Sequence, residues 1–230
     1  MNDEEWWGVA EANTLFFEYG AVETDYLKNA CPKMAQAIET IGHLRREVTP
    51  NLYTSLISSI VAQQISSKAL DTVWGRFEQR FDPMTPQRMA KVPVEELQAC
   101  GISMRKASYI AGITQQVADG SLNLEALHAL PDDEVCRQLS ALRGIGVWTA
   151  EMLMTFSMQR PDVMSYGDLA ILRGLRMLHR HRAITPKLFA KYKRRYSPYG
   201  SVASLYLWAI ASGEYEGYTD PAQKKAAAKR

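Results

Sequence analysis

The stretch "LRGIGVWTAEML", residues 142–153, places two glycines around an isoleucine just before an apolar helical run. Glycine permits positive φ and close approach of another chain. A helix beginning at Val147 would offer unpaired N–H groups and the positive end of its dipole. A phosphate suits that place, and Thr149 in the first turn adds a hydroxyl donor. Ile145 reads as an apolar anchor packed back between two helices. A tight helix–helix turn with glycines for packing alone explains the pattern equally well. Twenty-two residues after Gly146, Asp168 stands in "PDVMSYGDLAILRGL" just before another apolar helix. It is a strong N-cap type and also a carboxylate placed to act on a ligand. Asp162 and Glu151 are rival carboxylates. A third feature is Gln63-Gln64, which interrupts the apolar "SIVAQQISSKA". Buried amides need partners, so the pair marks either a helix end bonded to its own backbone or a polar wedge aimed into a ligand.

The elements that must position these groups are helical. Leu52, Leu56, Ile60, Ile65, Leu70, Val73 and Phe77 recur at helical spacing through the long segment from Pro50 to Phe81. "SMRKASYIAGITQQVADG" repeats the pattern and ends on Gly120, a C-cap type. "PDDEVCRQLSAL" opens with Pro131 and two acids, which suits a helix N-terminus. "VWTAEMLMTFSM", "GDLAILRGLRMLHR", "TPKLFAKYKRRY" and "GSVASLYLWAIASG" are helical as well. The stretch around Phe16, Phe17 and Tyr19 reads as a short strand or two turns. The predicted class is all-α, in one domain or two closely packed subdomains, and 222–230 is expected to be a disordered basic tail.

Composition narrows the context. The 230 residues are 47% hydrophobic and carry a net charge of only +2, which suits an ordinary soluble chain. The charge is uneven. Residues 1–50 hold nine acids against four bases, whereas residues 173–230 hold thirteen Lys and Arg against three acids. That basic quarter forms either solvated helix faces or a surface for a polyanion. Cys31, Cys100 and Cys136 have no CxxC spacing, so neither a disulfide framework nor a zinc knuckle is expected. The N-terminus is acidic, unlike a signal peptide. Apolar runs fall short of the roughly 20 residues of a membrane span. The expectation is a cytoplasmic monomer that touches no membrane.

Taken together, "SIVAQQISSKA", "GISMRKASYI", "LRGIGVWTAEMLM" and "SYGDLAILRGL" resemble the helix-hairpin-helix DNA glycosylase superfamily, and within it the 3-methyladenine DNA glycosylase II branch. The resemblance runs from Pro50 to Gly213 and implies two packed helical subdomains, 1–50 with 168–230 and 51–167, with a helix-hairpin-helix motif at about 132–158 and an active-site cleft between them. It implies base-excision repair of duplex DNA carrying alkylated purines of the 3-methyladenine and 7-methylguanine type. It implies DNA backbone contacts at Gly144, Gly146 and Thr149 and a monovalent cation, Na+ or K+, on the main-chain carbonyls of Ser140, Leu142 and Ile145. It makes Asp168 the catalytic carboxylate, Gln64 and Met104 (with Gln63 as a lesser candidate) the residues that wedge into DNA, and Trp148 and Trp208 the base pocket. At the position one turn after Trp148, where some relatives carry an aromatic, this chain has Met152. Strand-cutting members keep a lysine where this chain has Trp148, so no lyase step is expected. With three cysteines, none after Cys136, no iron–sulfur cluster is expected, and no cofactor is required. Among the N-terminal aromatics Trp6, Trp7, Phe16, Phe17 and Tyr19, any could supply a further pocket wall. Lys191, Lys193, Arg194 and Arg195 become candidate phosphate contacts. Alternatives are a relative that acts on hypoxanthine, ethenoadenine or a mismatched base, and a catalytically silent DNA-binding relative.

Overall fold

The structure, a computed structural model, describes residues 15–222. Trp6, Trp7 and the tail beyond residue 222 lie outside the described residues. In chain order the elements are β1 (Leu15–Phe16), α1 (Ala21–Ala30), α2 (Pro32–Ile41), β2 (Glu47–Val48), α3 (Leu52–Ala62), α4 (Ser67–Phe81), α5 (Pro86–Met89), α6 (Val94–Ala99) and α7 (Met104–Ala118). After a 3₁₀ turn at Ala126–Ala129 come α8 (Asp132–Ser140), α9 (Val147–Phe156), α10 (Leu169–His179), α11 (Pro186–Tyr196) and α12 (Gly200–Ser212). The fold is all-α, apart from β1 pairing antiparallel with β2 through Leu15–Val48 and Phe16–Glu47. No helix among the described residues is long and apolar enough to cross a membrane.

Two compact units divide the chain: Thr49–Met158, and Met1–Val48 together with Gln159–Arg230. The second boundary falls nine residues before the 167/168 junction predicted from sequence. Hydrogen bonds account for the difference. Ser201 at the start of α12 donates its amide to Pro161 O (3.0 Å) and accepts the Val163 amide on its hydroxyl (2.9 Å). Residues 159–167 thereby belong to α12's side.

In the unit 49–158, local capping explains where helices begin. Asn51, Ser66, Thr85 and Ser103 each accept a backbone amide three residues ahead. The segment predicted as a long helical run is broken at residues 63–66, because Ser66 caps a fresh helix there. Ile65, placed by spacing on an apolar face, is 37% exposed. The core is α3, whose Leu56 and Ile60 are fully buried. Truncating either to Ala would cost about 2–5 kcal/mol. Tyr53 and Thr114 share a buried hydrogen bond of 2.8 Å between α3 and α7. Burial pushes the Tyr53 hydroxyl up to about 12.

The other unit is organised around α12, which is apolar on nearly every side and correspondingly buried at Val202, Ala203, Leu205, Tyr206, Leu207 and Ile210. Helix α10 crosses it at Gly174, where a Cβ would stand 2.2 Å from Leu207 O. Any other residue there would force the helices apart. Arg176 of α10 holds Asp220 with a two-pronged ion pair, 3.0 Å (Nε to Oδ1) and 2.5 Å (Nη2 to Oδ2). The pair ties the segment after α12 back onto α10 and holds the Asp220 carboxyl below its ordinary value.

Candidate active site

Helices α8 and α9 form the hairpin predicted at 132–158, joined by the turn 141–146. Ile145 is 4% exposed and donates its amide to Leu142 O at 3.0 Å, which fixes the turn and seats the isoleucine as an anchor. The two glycines do different work. Gly144 has φ +91, and a Cβ on it would stand 2.5 Å from the Tyr109 ring. The close neighbour is therefore a side chain of α7, not another backbone. Gly146 is at φ −91, with nothing within 4 Å of a Cβ. It is the N-cap of α9 and supplies no side-chain cap. A helix start without a side-chain cap is the arrangement a phosphate oxygen satisfies. Ser140, Leu142 and Ile145, the predicted carbonyl donors, lie in and beside this turn. No cluster of His, Cys, Asp or Glu among the described residues could hold a metal ion. Cys31, Cys100 and Cys136 form no disulfide.

The Gln63-Gln64 pair ends α3. Gln63 is its C-cap, and its amide Nε2 donates to Gly144 O at 2.7 Å. The side chain thus bonds the hairpin and not its own helix. Gln64 sits at φ +58, a left-handed conformation that costs a non-glycine residue on the order of 1–2 kcal/mol. Its side chain is exposed. Met104, the first residue of α7, is 43% exposed.

A pocket of about 720 Å³ opens beside these groups, within the same unit, a size that suits a small ligand. Trp148, Met152, Leu153 and Phe156 of α9 give it an apolar wall, Gln63 and Gln64 stand at another side, and Gly144, Gly146 and Thr149 complete the hairpin edge. Trp148 is 48% exposed, so its indole is not packed away in a core. Sequence reasoning missed the opposite wall, Ser55, Ser58 and Ser59 of α3. Their i, i+3, i+4 spacing was a readable signal of one shared face. Ser58 and Ser59 donate to carbonyls three residues back, and Ser55 to Thr49 O. With their donors so engaged they present small, weakly polar surfaces. Lys106 and Tyr109 were missed as well.

Asp168 belongs to the other unit. It caps α10, with Oδ1 accepting the amides of Ala170 and Ile171, both at 2.9 Å, and it is 7% exposed. Both readings from sequence, cap and poised carboxylate, are compatible with that geometry. Trp208 stands half-buried on α12. Of the rival carboxylates, Asp162 is committed to the start of α12, accepting from Ser197 Oγ (2.5 Å) and Gly200 N (3.1 Å). The N-terminal aromatics in this unit are engaged locally. Phe17 is core, Tyr19 stacks on His43 at 4.5 Å, and Arg45 lies 4.0 Å over Phe16. On α11, Lys191, Lys193 and Arg194 are exposed, while Arg195 leans on the Tyr192 ring at 5.6 Å.

Residues 57–198 match the family described as HhH-GPD superfamily base excision DNA repair protein. The chain is 33% identical to DNA-3-methyladenine glycosylase 1 of Schizosaccharomyces pombe over 178 residues, covering 75% of this chain and 77% of that one. Among solved structures, a DNA-3-methyladenine glycosidase from Bacillus halodurans superposes with a TM-score of 0.78 at 35% identity, covering 87% of this chain and 95% of the other. The Schizosaccharomyces pombe 3-methyladenine DNA glycosylase in complex with abasic DNA gives 0.72 at 28% identity, covering 86% and 100%. The protein is a member of the HhH-GPD superfamily of base-excision DNA repair proteins.

Proposed function

We propose that the protein is a monofunctional DNA N-glycosylase that releases alkylated purines, 3-methyladenine and 7-methylguanine, from duplex DNA. The observation that carries this reading is the half-exposed Trp148 lining the pocket at the hairpin. A flipped base needs a stacking face, and a cationic base is attracted to an indole. The named relatives, DNA-3-methyladenine glycosylases, support the same substrate class. In the proposed reaction the α9 amides and Thr149 grip a backbone phosphate, and Gln64 and Met104 fill the space the base vacates. The C1′–N bond breaks, and the base leaves with the electron pair. A base that was cationic departs neutral and needs no acid. Asp168 stabilises the positive charge left on the sugar. Water adds its oxygen at C1′ and gives its proton to the carboxylate or solvent. Trp148 offers no amine, so no Schiff base forms and the strand stays intact.

Cation binding at the hairpin would fall to main-chain oxygens. Leu142 O accepts the Ile145 amide at 3.0 Å, and a carbonyl oxygen carries a second lone pair that a cation could take. That donor set fits Na+ or K+, which would stiffen the turn against phosphate. Exchanging K+ for tetramethylammonium then weakens DNA binding, and unchanged binding removes the cation from the account. The function itself is tested by identifying bases released from methylated genomic DNA. We expect 3-methyladenine and 7-methylguanine with no strand cleavage. Release of hypoxanthine or ethenoadenine alone reassigns the lesion, and no release at all defeats the proposal.

A further inference from the structure

One side chain joins the two wedge elements within the unit 49–158. Lys106 Nζ donates to Val61 O at 2.9 Å and also to Gln63 O. Lys106 is the third residue of α7, where the helix dipole disfavours a cation. Partial burial adds a desolvation cost and lowers its pKa. Its own helix therefore gains nothing electrostatic from the ammonium. The gain falls on α3, whose last carbonyls are orphan acceptors at the negative end of a dipole. One turn further along α7, the Tyr109 ring lies against Gly144. The loop closes where Gln63 Nε2 donates to Gly144 O. Gln63 is thus held at its carbonyl by Lys106 and at its side chain by the hairpin, and the next residue is the left-handed Gln64. A strained conformation persists only where its surroundings over-determine it.

We propose that Lys106 is a positioning residue for base extrusion: it holds Gln64 in its left-handed conformation and keeps it in register with Met104 and the hairpin. This rests on the reading of Gln64 and Met104 as the wedge. Without the ammonium, the Val61 and Gln63 carbonyls lose their donor and Gln64 relaxes. The wedge then no longer enters the helix together with Met104. The chemistry at C1′ is untouched, because Lys106 contacts neither base nor sugar in this account.

The test compares Lys106→Met, which keeps the stem and removes the donors, with Lys106→Arg. Single-turnover release of 7-methylguanine is measured from duplexes with the lesion opposite cytosine and opposite thymine, with thermal unfolding alongside. A mispaired lesion is easier to extrude. Losing charged hydrogen bonds should slow Lys106→Met by about tenfold or more on the paired duplex. The loss should shrink on the mispaired one, and Lys106→Arg should recover most of the paired rate. Equal loss on both duplexes, or none, overturns the proposal. Should Lys106→Met fail to fold, Lys106→Gln is read by the same paired-to-mispaired ratio. Gln64→Ala and Met104→Ala separate the two layers. If they release the paired base at the parental rate, the wedge reading fails and takes this inference with it. If they are slow while Lys106→Met is not, only the role of Lys106 fails. A parent inactive on both duplexes defeats the function and the inference together.

Discussion

Replacing Asp168 by Asn separates its two roles. Both cap bonds, from Ala170 N and Ile171 N, end on Oδ1, and an asparagine carbonyl oxygen accepts them equally well. What Asn lacks is the charge. For stability, the lost charge–dipole attraction amounts to about 0.3–1 kcal/mol. In a chain of this size about 1 kcal/mol shifts Tm by roughly 2–4 °C, so Asp168→Asn should melt within a few degrees of the parent. For catalysis, the same change removes the charge of the carboxylate that we propose stabilises the developing sugar cation. By analogy with preorganised electrostatic groups elsewhere, this costs about 100-fold or more in single-turnover base release. Asp168→Ala loses the cap as well, a further cost of about 1 kcal/mol, with a similar loss of rate. The assay pairs differential scanning calorimetry with base release from 7-methylguanine duplex. If Asp168→Asn releases base at the parental rate, Asp168 is a cap only. If it melts as low as Asp168→Ala, the cap geometry described above is wrong.

Further outcomes follow from the same structure. Gly144→Ala should destabilise the fold by about 2–4 kcal/mol through its positive φ and the Tyr109 ring. Gly146→Ala should barely move Tm, since a Cβ there meets nothing within 4 Å, yet weaken DNA binding by crowding a phosphate held at the start of α9; denaturant titration and a binding isotherm distinguish the two. Trp148→Ala should cost the half-exposed site at most about 1–2 kcal/mol of stability but slow base release about tenfold, the scale of one lost base stack. Borohydride should trap no covalent DNA adduct with the parent protein. Burial first, then Lys33, holds His179 at about 3 against an ordinary 6.5. The folded state therefore binds fewer protons than the unfolded one between those values, and stability falls as pH drops from 6.5 toward 3. Melting curves of His179→Gln should show a shallower fall across that window; an identical slope would acquit His179.

Helix starts at Pro131 and Asp168 were legible because such signals are local. The caps at Asn51, Ser66, Ser103 and Thr185 are equally local but were not read, so the break at residues 63–66 was not anticipated. The hairpin was legible for the same reason, including Ile145 as its anchor. The division of labour between the glycines was not, because Gly144 is constrained by Tyr109, far away in sequence. Gln63-Gln64 stood out as polar residues in an apolar run, but a sequence does not reveal that Gln64 adopts a left-handed φ. Lys106 was invisible: an isolated lysine reads as solvated, and its partners lie 43 and 45 residues away. The unit boundary after Met158 was misplaced because Ser201's bonds to residues 161–163 leave no mark on composition.

The contact of Gly174 with Leu207 O has a mechanical corollary. Asp168 caps α10 and Trp208 follows Leu207 on α12, so one missing methyl sets the spacing of both. A mutation that pried these helices apart would shift carboxylate and indole at once. Side chains elsewhere on either helix can be exchanged with this spacing intact, whereas a side chain at position 174 alters it for carboxylate and indole together.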